Sequence, residues 1–182
     1  MASDIDTDLA TRVSARIRDV PDFPQPGILF KDITPVLAEG ALLRAIVERI
    51  AEEFDRAGIQ RIAGIESRGF ILGAPLAVRL GVGFTPIRKP GKLPYETRRV
   101  DYALEYGTDA LEAHVDAVQP GDRVLLVDDV LATGGTASGA VRLIRELGGD
   151  VVAIAFLIEL AFLRGRQKLH DVPVFSLIEY RS

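Results

Sequence analysis

The stretch from Arg123 to Ala140 constrains this chain more than any other, because it joins an apolar run to an acidic pair, a small-residue loop and a helix start. Residues 124–127 are typical of a strand in a parallel sheet that is covered on both faces. Asp128 and Asp129 follow directly, and helical spacing of apolar residues begins after the loop. This order predicts a binding site at the carboxyl end of a buried parallel strand.

The small-residue loop predicts a phosphate site. Gly134 and Gly135 let backbone N–H groups approach an anion closely, and the following helix presents free N–H groups. The hydroxyls of Thr133 and Thr136 add donors, while the acidic pair is suited to accept from vicinal ribose hydroxyls. A bare Gly-Gly-Thr turn favours an ordinary capped strand–helix junction. Together with the strand and the acidic pair, it favours a ribose-5-phosphate cradle.

This run is similar to the phosphoribosyl-pyrophosphate (PRPP) motif of the type I phosphoribosyltransferases. No nucleotide-triphosphatase P-loop and no three-glycine dinucleotide motif occurs in the sequence. The resemblance implies that PRPP is bound through its phosphate and ribose by the residues of this motif, namely Asp128, Asp129, Ala132, Thr133, Gly134, Gly135 and Thr136.

Length and composition narrow the classes of protein. The 182 residues suit one domain, and a net charge of −4 argues against a nucleic-acid or anionic-membrane partner. Disulfides and thiolate metal sites are excluded by the absence of cysteine, and two isolated histidines do not make a zinc site. The longest apolar segment, 151–158, is too short to span a bilayer, and the acidic start lacks signal-peptide features. We therefore expect a cytoplasmic protein.

Apolar periodicity predicts alternating strands and helices, and hence an α/β fold: an open, mostly parallel twisted sheet with helices on both faces and a small N-terminal hood. Proline restricts one predicted strand to an edge or terminal position, and one segment, 110–118, is ambiguous but favours a strand. Predicted helices are 9–20, 42–54, 66–80 and 137–147; predicted strands are 61–65, 83–87, 102–107, 110–118, 124–127, 151–158 and 172–178.

Residues 22–35 hold too many prolines for regular structure, yet they are apolar, which favours a loop that covers one end of the sheet. The segment also resembles the hood of the adenine branch of the phosphoribosyltransferases, where an aromatic ring stacks on the purine. That resemblance implies stacking by Phe30 and base contacts from the backbone of Leu29 and Lys31. It further implies that Leu160 faces the base, although a plain core role for this residue stays open.

A second strand-turn-helix junction runs through Glu66, Ser67, Arg68 and Gly69. Its backbone donors and the Arg68 guanidinium suit a second anion. An isolated Arg-Gly after a strand favours a surface salt bridge instead. In the resembled family the turn matches the pyrophosphate loop.

Residues 89–105 are basic and broken by proline and glycine, which favours a solvated loop. In the resembled family the matching segment is a mobile lid, and this implies pyrophosphate contacts from Arg88, Lys89 and Lys92. A lone Glu105 favours a solvated charge, but its Leu-Glu-Tyr-Gly context resembles the acidic position beside the purine.

As a whole, the resemblance implies one domain, 1–182, with a hood at 1–35 and a lid at 89–105. It implies transfer of the 5-phosphoribosyl group from PRPP to adenine, giving AMP and pyrophosphate, by a homodimer. Mg²⁺ would be carried by PRPP near the acidic pair, without direct protein ligands. The implied catalytic residues are Glu105, Asp128, Asp129 and Arg68.

Two alternatives stay open at this point. A PRPP-sensing transcriptional regulator would use the same cradle but should carry a basic winged-helix segment, for which this acidic chain has no room. A xanthine or hypoxanthine transferase would share the cradle and differ in the hood.

Overall fold

A computed structural model describes residues 4–103 and 107–182 of the chain. The contacts between backbone positions divide it into two compact units, Met1–Arg49 and Ile50–Ser182, which are described separately. No helix among the described residues is both long and apolar enough to cross a bilayer.

The first unit contains a short antiparallel ladder that the sequence did not predict. Helix α1 (Asp4–Ser14) ends earlier than the predicted 9–20 helix, because β1 (Arg18–Pro21) pairs with β2 (Leu29–Asp32). Two helices follow, α2 (Thr34–Leu37) and α3 (Gly40–Phe54), the latter confirming the predicted 42–54 helix and running into the second unit.

The prediction that residues 22–35 lack regular structure was therefore wrong. The prolines of this segment avoid the paired positions of β2: Pro24 and Pro26 lie in the connecting loop, and Pro35 occupies the first turn of α2, where a missing N–H costs little.

The second unit is built on a five-stranded sheet in the order β4-β3-β7-β8-β9, with every neighbouring pair parallel. These strands confirm the predicted parallel sheet. Pro86 lies in β4, the edge strand, as the sequence predicted. The strands are β3 (Arg61–Ile65), β4 (Gly83–Ile87), β7 (Arg123–Leu131), β8 (Asp150–Leu160) and β9 (Val174–Tyr180).

Two crossover helices lie on opposite faces of this sheet. Helix α4 (Arg68–Leu80) connects β3 to β4, and α5 (Gly135–Glu146) connects β7 to β8, so the two crossovers step outward in opposite directions. Right-handed crossovers that diverge in this way place their helices on opposite faces. Between β3 and β7 the strand order reverses, which leaves a crevice at their carboxyl ends.

A second antiparallel ladder corrects the interpretation of the basic segment. β5 (Thr97–Ala103) pairs with β6 (Thr108–His114), so part of the predicted structureless segment is a strand. Val100 and Tyr102 point inward and are buried, which gives the hairpin an apolar face that the basic composition obscured. Of the strand predicted at 102–107, residues 102 and 103 lie in β5, and residues 104–106 lie outside the described residues. The strand predicted at 110–118 falls on β6, which ends at residue 114.

The hairpin packs against α5 at two glycines. A Cβ atom on Gly139 would lie 2.9 Å from the Tyr102 ring, and one on Gly135 would lie 2.8 Å from the carbonyl oxygen of Ala103. Both approaches are too close for a side chain. Glycines of the Thr-Gly-Gly-Thr-Ala-Ser-Gly run therefore have two roles: they form the predicted loop, and they leave room for the hairpin to pack against α5.

We expect Gly139→Ala to lower the free energy of unfolding by about 1–3 kcal/mol, because its methyl group overpacks the Tyr102 contact. Gly40→Ala is the control, since a Cβ there meets nothing within 4 Å, and it should be neutral or slightly stabilising. Urea denaturation of both variants checks this. Equal stability of Gly139→Ala and the parent would contradict the described packing.

Candidate active site

The two predicted anion loops meet at one edge of the sheet. β3 and β7 are adjacent and in register, with Gly64 opposite Val127, so the chain leaves both strands at the same end. Gly69 in the first turn of α4 lies against the end of β7, because a Cβ there would come 2.6 Å from the Val127 carbonyl oxygen. The glycine of the Ser-Arg-Gly turn is therefore required for this close approach.

The acidic pair lies at the centre of this edge. Asp128 Oδ1 accepts a hydrogen bond from the backbone N–H of Asp129 at 2.9 Å, and the Asp129 carboxylate, only 3% exposed, contacts the Arg68 guanidinium. Burial, together with the negative charge of Asp129, raises the pKa of Asp128 well above its usual range. Arg68 thus joins the two loops through a salt bridge, one of the two alternatives that the sequence left open, while its contact with an anion stays a prediction.

The Glu66 side chain gathers two of the predicted cations. It accepts from Arg88 Nε at 2.8 Å, contacts Lys92 Nζ, and is only 8% exposed. Burial works to raise the pKa of Glu66, but the hydrogen bonds from Lys92 and Arg88 outweigh it and the pKa is lowered. The peptide bond between Glu66 and Ser67 is cis. The structure therefore brings Glu66, Arg88 and Lys92 together.

Lys89 lies in a separate group on the hairpin side. Its ammonium donates to the Tyr102 hydroxyl at 2.9 Å and contacts the carboxylate of Asp109. Burial works against charging Lys89, but the hydrogen bonds that it donates to Asp109 and Tyr102 outweigh burial and raise its pKa. For Asp109, burial is likewise outweighed by Lys89, and its pKa is lowered. Neither Tyr102 nor Asp109 was among the predicted site residues.

The predicted cradle has the expected strand-loop-helix order. Gly134 caps α5 in the left-handed conformation, with φ of 77°, and its carbonyl accepts from Ser138 N–H at 2.9 Å. A Cβ on Gly134 would collide with the carbonyl of Gly165. Ala132 and Thr133 are partly exposed beside it, while the Thr136 hydroxyl lies 3.4 Å from the Tyr102 hydroxyl.

An ion pair between buried Glu159 and exposed Arg166 lies next to the cradle loop. Glu159, 4% exposed, accepts hydrogen bonds from Arg166 Nε at 2.8 and 2.9 Å, from Arg166 Nη2 at 2.6 Å and from the Ser176 hydroxyl at 2.8 Å. Arg166 follows Gly165, the residue that touches the cradle loop. Leu160 is partly exposed at the end of β8. A glutamate inside an apolar run and a later Arg-Gly-Arg were the only sequence signals of this pair.

The predicted base-binding residues of the hood lie in the first unit, on β2. The Phe30 ring packs edge-on against Phe23, with centroids 5.1 Å apart. Leu29 is exposed, and Lys31 Nζ lies 2.7 Å from an Asp19 carboxylate oxygen. Glu105 lies outside the described residues.

A direct protein cage for a metal is not seen in the described part of the chain. No group of three or more His, Cys, Asp or Glu side chains there could hold a metal ion.

Comparison with known proteins places the chain in a family. Residues 32–180 match the family model described as the phosphoribosyl transferase domain. An adenine phosphoribosyltransferase of Nitrosococcus oceani is 56% identical over 169 residues, covering 93% of this chain and 99% of the relative. One from a Nocardioides species is 60% identical over 168 residues, covering 90% and 91%.

Solved structures agree with this assignment. Adenine phosphoribosyltransferase from Thermoanaerobacter pseudethanolicus superposes with a TM-score of 0.92 at 52% identity, covering 94% of this chain and 99% of that one. The enzyme from Saccharomyces cerevisiae, solved in complex with an iminoalditol bisphosphate and adenine, gives 0.88 at 40% identity, covering 94% and 99%. Sequence and fold agree over nearly the whole length, and the chain belongs to the adenine phosphoribosyltransferase family.

Proposed function

We infer that the chain transfers the 5-phosphoribosyl group from PRPP to adenine, giving AMP and pyrophosphate in purine salvage. The observation that carries this function is the juxtaposition at the end of β3 and β7: an acidic pair and a glycine-capped helix start meet a second anion loop. That arrangement offers a site for a phosphate, a ribose and a pyrophosphate in one crevice. The names of the similar enzymes support the choice of adenine.

Each end of the cradle is assigned one part of PRPP. The 5′-phosphate is held by backbone N–H groups of residues 132–136 and by the Thr133 and Thr136 hydroxyls, at the positive end of α5. Asp128 and Asp129 accept from the ribose hydroxyls and place negative charge beside the anomeric carbon as it becomes cationic. Their position at the strand end supports these roles.

The leaving pyrophosphate is assigned to the loop after β3. Backbone donors of residues 67–69 and the side chains of Arg68, Arg88, Lys89 and Lys92 would receive it. In the described arrangement each of these four cations contacts a carboxylate. Binding therefore requires the pyrophosphate to share or replace those carboxylates, with the cations stabilising its charge as the glycosidic bond breaks.

Adenine is assigned to the hood and to the end of β8. Phe30 would stack on the purine, the backbone of Leu29 and Lys31 would meet its edge, and Leu160 would face it. Glu105 would act as a general acid–base group, exchanging a proton with the purine imidazole nitrogen that does not attack.

The acidic pair fits a magnesium ion that arrives with PRPP. Mg²⁺ is usually bound through one or two carboxylates plus substrate phosphates rather than by a protein cage, and the described residues offer a carboxylate pair without a third ligand nearby. When bound, the ion would neutralise charge on the leaving group. Asp128 and Asp129 would hold it indirectly, through the ribose hydroxyls from which they accept hydrogen bonds.

We propose residues 89–105 as a lid over PRPP, supported by their four basic residues and exposed tip. Because β5 pairs with β6 and packs against α5, the part that closes is the exposed tip before β5. Protection of this segment from trypsin by PRPP with Mg²⁺ tests the lid, and cleavage at the same rate without ligand would contradict it. The homodimer and the cytoplasmic location stay predictions. Sedimentation of the purified chain and cell fractionation test them.

The direct test of the function is AMP formation. The chain is incubated with PRPP, Mg²⁺ and, in separate reactions, adenine, hypoxanthine, xanthine or guanine. We expect a nucleotide product with adenine alone. Equal or faster turnover of another purine would overturn the assignment of the base, and PRPP binding without turnover of any purine would favour a sensor.

We expect Thr133→Val to weaken PRPP binding by about tenfold or more, because a hydroxyl donor to a charged phosphate is lost at constant shape. This variant is preferred to a change at Gly134, where a side chain would collide with Gly165 and disturb the fold. Ser138→Ala, one turn further along α5, is the control and should bind PRPP like the parent. Calorimetry measures both, and an unchanged affinity of Thr133→Val would remove this residue from the cradle.

Asp128→Asn should stabilise the ligand-free chain at pH 7 while reducing AMP formation about a hundredfold or more. A carboxyl whose pKa is raised by folding binds its proton more tightly in the folded state. The contribution of Asp128 to the free energy of unfolding therefore falls as the pH rises above 3.8, the ordinary pKa of an aspartate carboxyl. Asparagine keeps the Oδ1 acceptor for the Asp129 N–H and does not titrate.

Thermal unfolding from pH 4 to pH 7.5 checks this prediction. The Tm advantage of Asp128→Asn over the parent should grow with pH through this window. An advantage that stays constant, or a less stable variant at pH 7, would show that the surroundings of Asp128 do not raise the pKa of its carboxyl.

A further inference from the structure

Asp109 lies in a place that the roles assigned above do not explain. It pairs directly with Tyr102 across the β5–β6 ladder, so both side chains project from the same face of the hairpin. Lys89, which lies two residues after β4, contacts both side chains through its ammonium group. The Tyr102 hydroxyl also lies 3.2 Å from Asp109 Oδ2.

Tyr102 is fixed in position by its packing. It is 7% exposed, and the missing side chain of Gly139 lets its ring lie against α5. The Thr136 hydroxyl is its neighbour on the cradle side at 3.4 Å. Tyr102 therefore holds the Lys89 ammonium at a defined point between the hairpin and the cradle helix.

The carboxylate of Asp109 offsets the positive charge of the Lys89 ammonium. An ammonium group has three donors, and Tyr102 and Asp109 occupy two of those of Lys89. The side chains of Lys89 and Asp109 are 35% and 31% exposed, so a ligand in the crevice can reach the third donor. Any anion that does so meets the full charge of Asp109 as well as that of Lys89.

We propose that Asp109 is a positioning residue that competes with the pyrophosphate group for Lys89. Without ligand, Asp109 keeps the Lys89 ammonium on the hairpin. With ligand bound, Asp109 weakens the interaction between Lys89 and pyrophosphate. The opposed pKa shifts of Lys89 and Asp109 agree with a charged pair at this point. The proposal rests on the proposed function, in which Lys89 is a ligand of pyrophosphate.

Two consequences follow for the reaction. Asp109 lowers the affinity for PRPP and for the pyrophosphate product alike, because both present the same group to Lys89. A weaker hold on the product favours its release after transfer, a step that often limits turnover in enzymes with lids. Ligands that occupy only the cradle are not affected.

The test is Asp109→Asn, which keeps the size and a hydrogen-bond acceptor for Tyr102 but removes the charge. Calorimetry with PRPP and with inorganic pyrophosphate, each with Mg²⁺, should show about three- to fivefold tighter binding, the upper part of the range for an exposed ion pair. Ribose 5-phosphate should bind within twofold of the parent. Asp116→Asn, an exposed residue in the turn after β6, removes the same charge and should leave all three affinities unchanged.

Lys89→Met separates this proposal from the function on which it rests. We expect Lys89→Met to weaken PRPP binding, and Asp109→Asn to have no further effect in that background, since the competition acts through Lys89. If Lys89→Met binds PRPP like the parent, the assignment of Lys89 to pyrophosphate fails.

Other outcomes bear on Asp109 alone. If Lys89→Met weakens binding but Asp109→Asn leaves PRPP affinity unchanged or lowers it, the function stands and the competition is overturned. Equal tightening by Asp116→Asn would show a general charge effect and would also overturn it. Thermal unfolding of each variant confirms that affinities are compared between folded proteins.

Discussion

The parallel pairing of β3 with β7 is the interaction on which the rest of the second unit depends. Because the crossovers that follow these strands diverge, their carboxyl ends are left open, and two loops with free backbone donors face one crevice. Glycines without room for a Cβ, such as Gly69 beside Val127, let the first turn of α4 approach the end of β7. Sheet topology thus brings together residues that are far apart along the chain.

Charge in this crevice is balanced before any ligand is added. Arg68 pairs with Asp129, Lys89 with Asp109, and Glu66 with two cations. Unpaired charges in a half-buried site would be costly, so internal pairing lets a chain of net charge −4 keep several cations close together. Because of this pairing, a highly charged substrate must replace the carboxylates that already contact these cations. It does not enter a site of unpaired positive charge.

Local patterns were enough to predict much of this fold. The four residues 124–127 are fully buried, as their apolar run indicated. Gly81 ends α4 in the left-handed conformation, as a glycine after a helical pattern predicts. The order of strand, acidic pair, loop and helix was also correct, because each of these signals depends on residues close together in the sequence.

The missed features depend on contacts between distant residues. Arg68 and Asp129 are 61 residues apart, and Lys89 and Asp109 are 20 apart, so no local spacing links them. The β1–β2 and β5–β6 ladders were hidden for a related reason: proline and charge dominate the local composition, whereas cross-strand pairing and the burial of Val100 and Tyr102 decide the structure. The sequence was enough to predict the cations of the lid, but not the carboxylates with which they pair.

The central claim is that the phosphate end of the substrate binds at the start of α5 and the ribose at the acidic pair. A crystal structure of the chain with ribose 5-phosphate tests it most directly. The account predicts phosphate oxygens within hydrogen-bond distance of the backbone N–H groups of residues 132–136, and ribose hydroxyls on Asp128 or Asp129. A phosphate bound elsewhere, with this loop unoccupied, would contradict it.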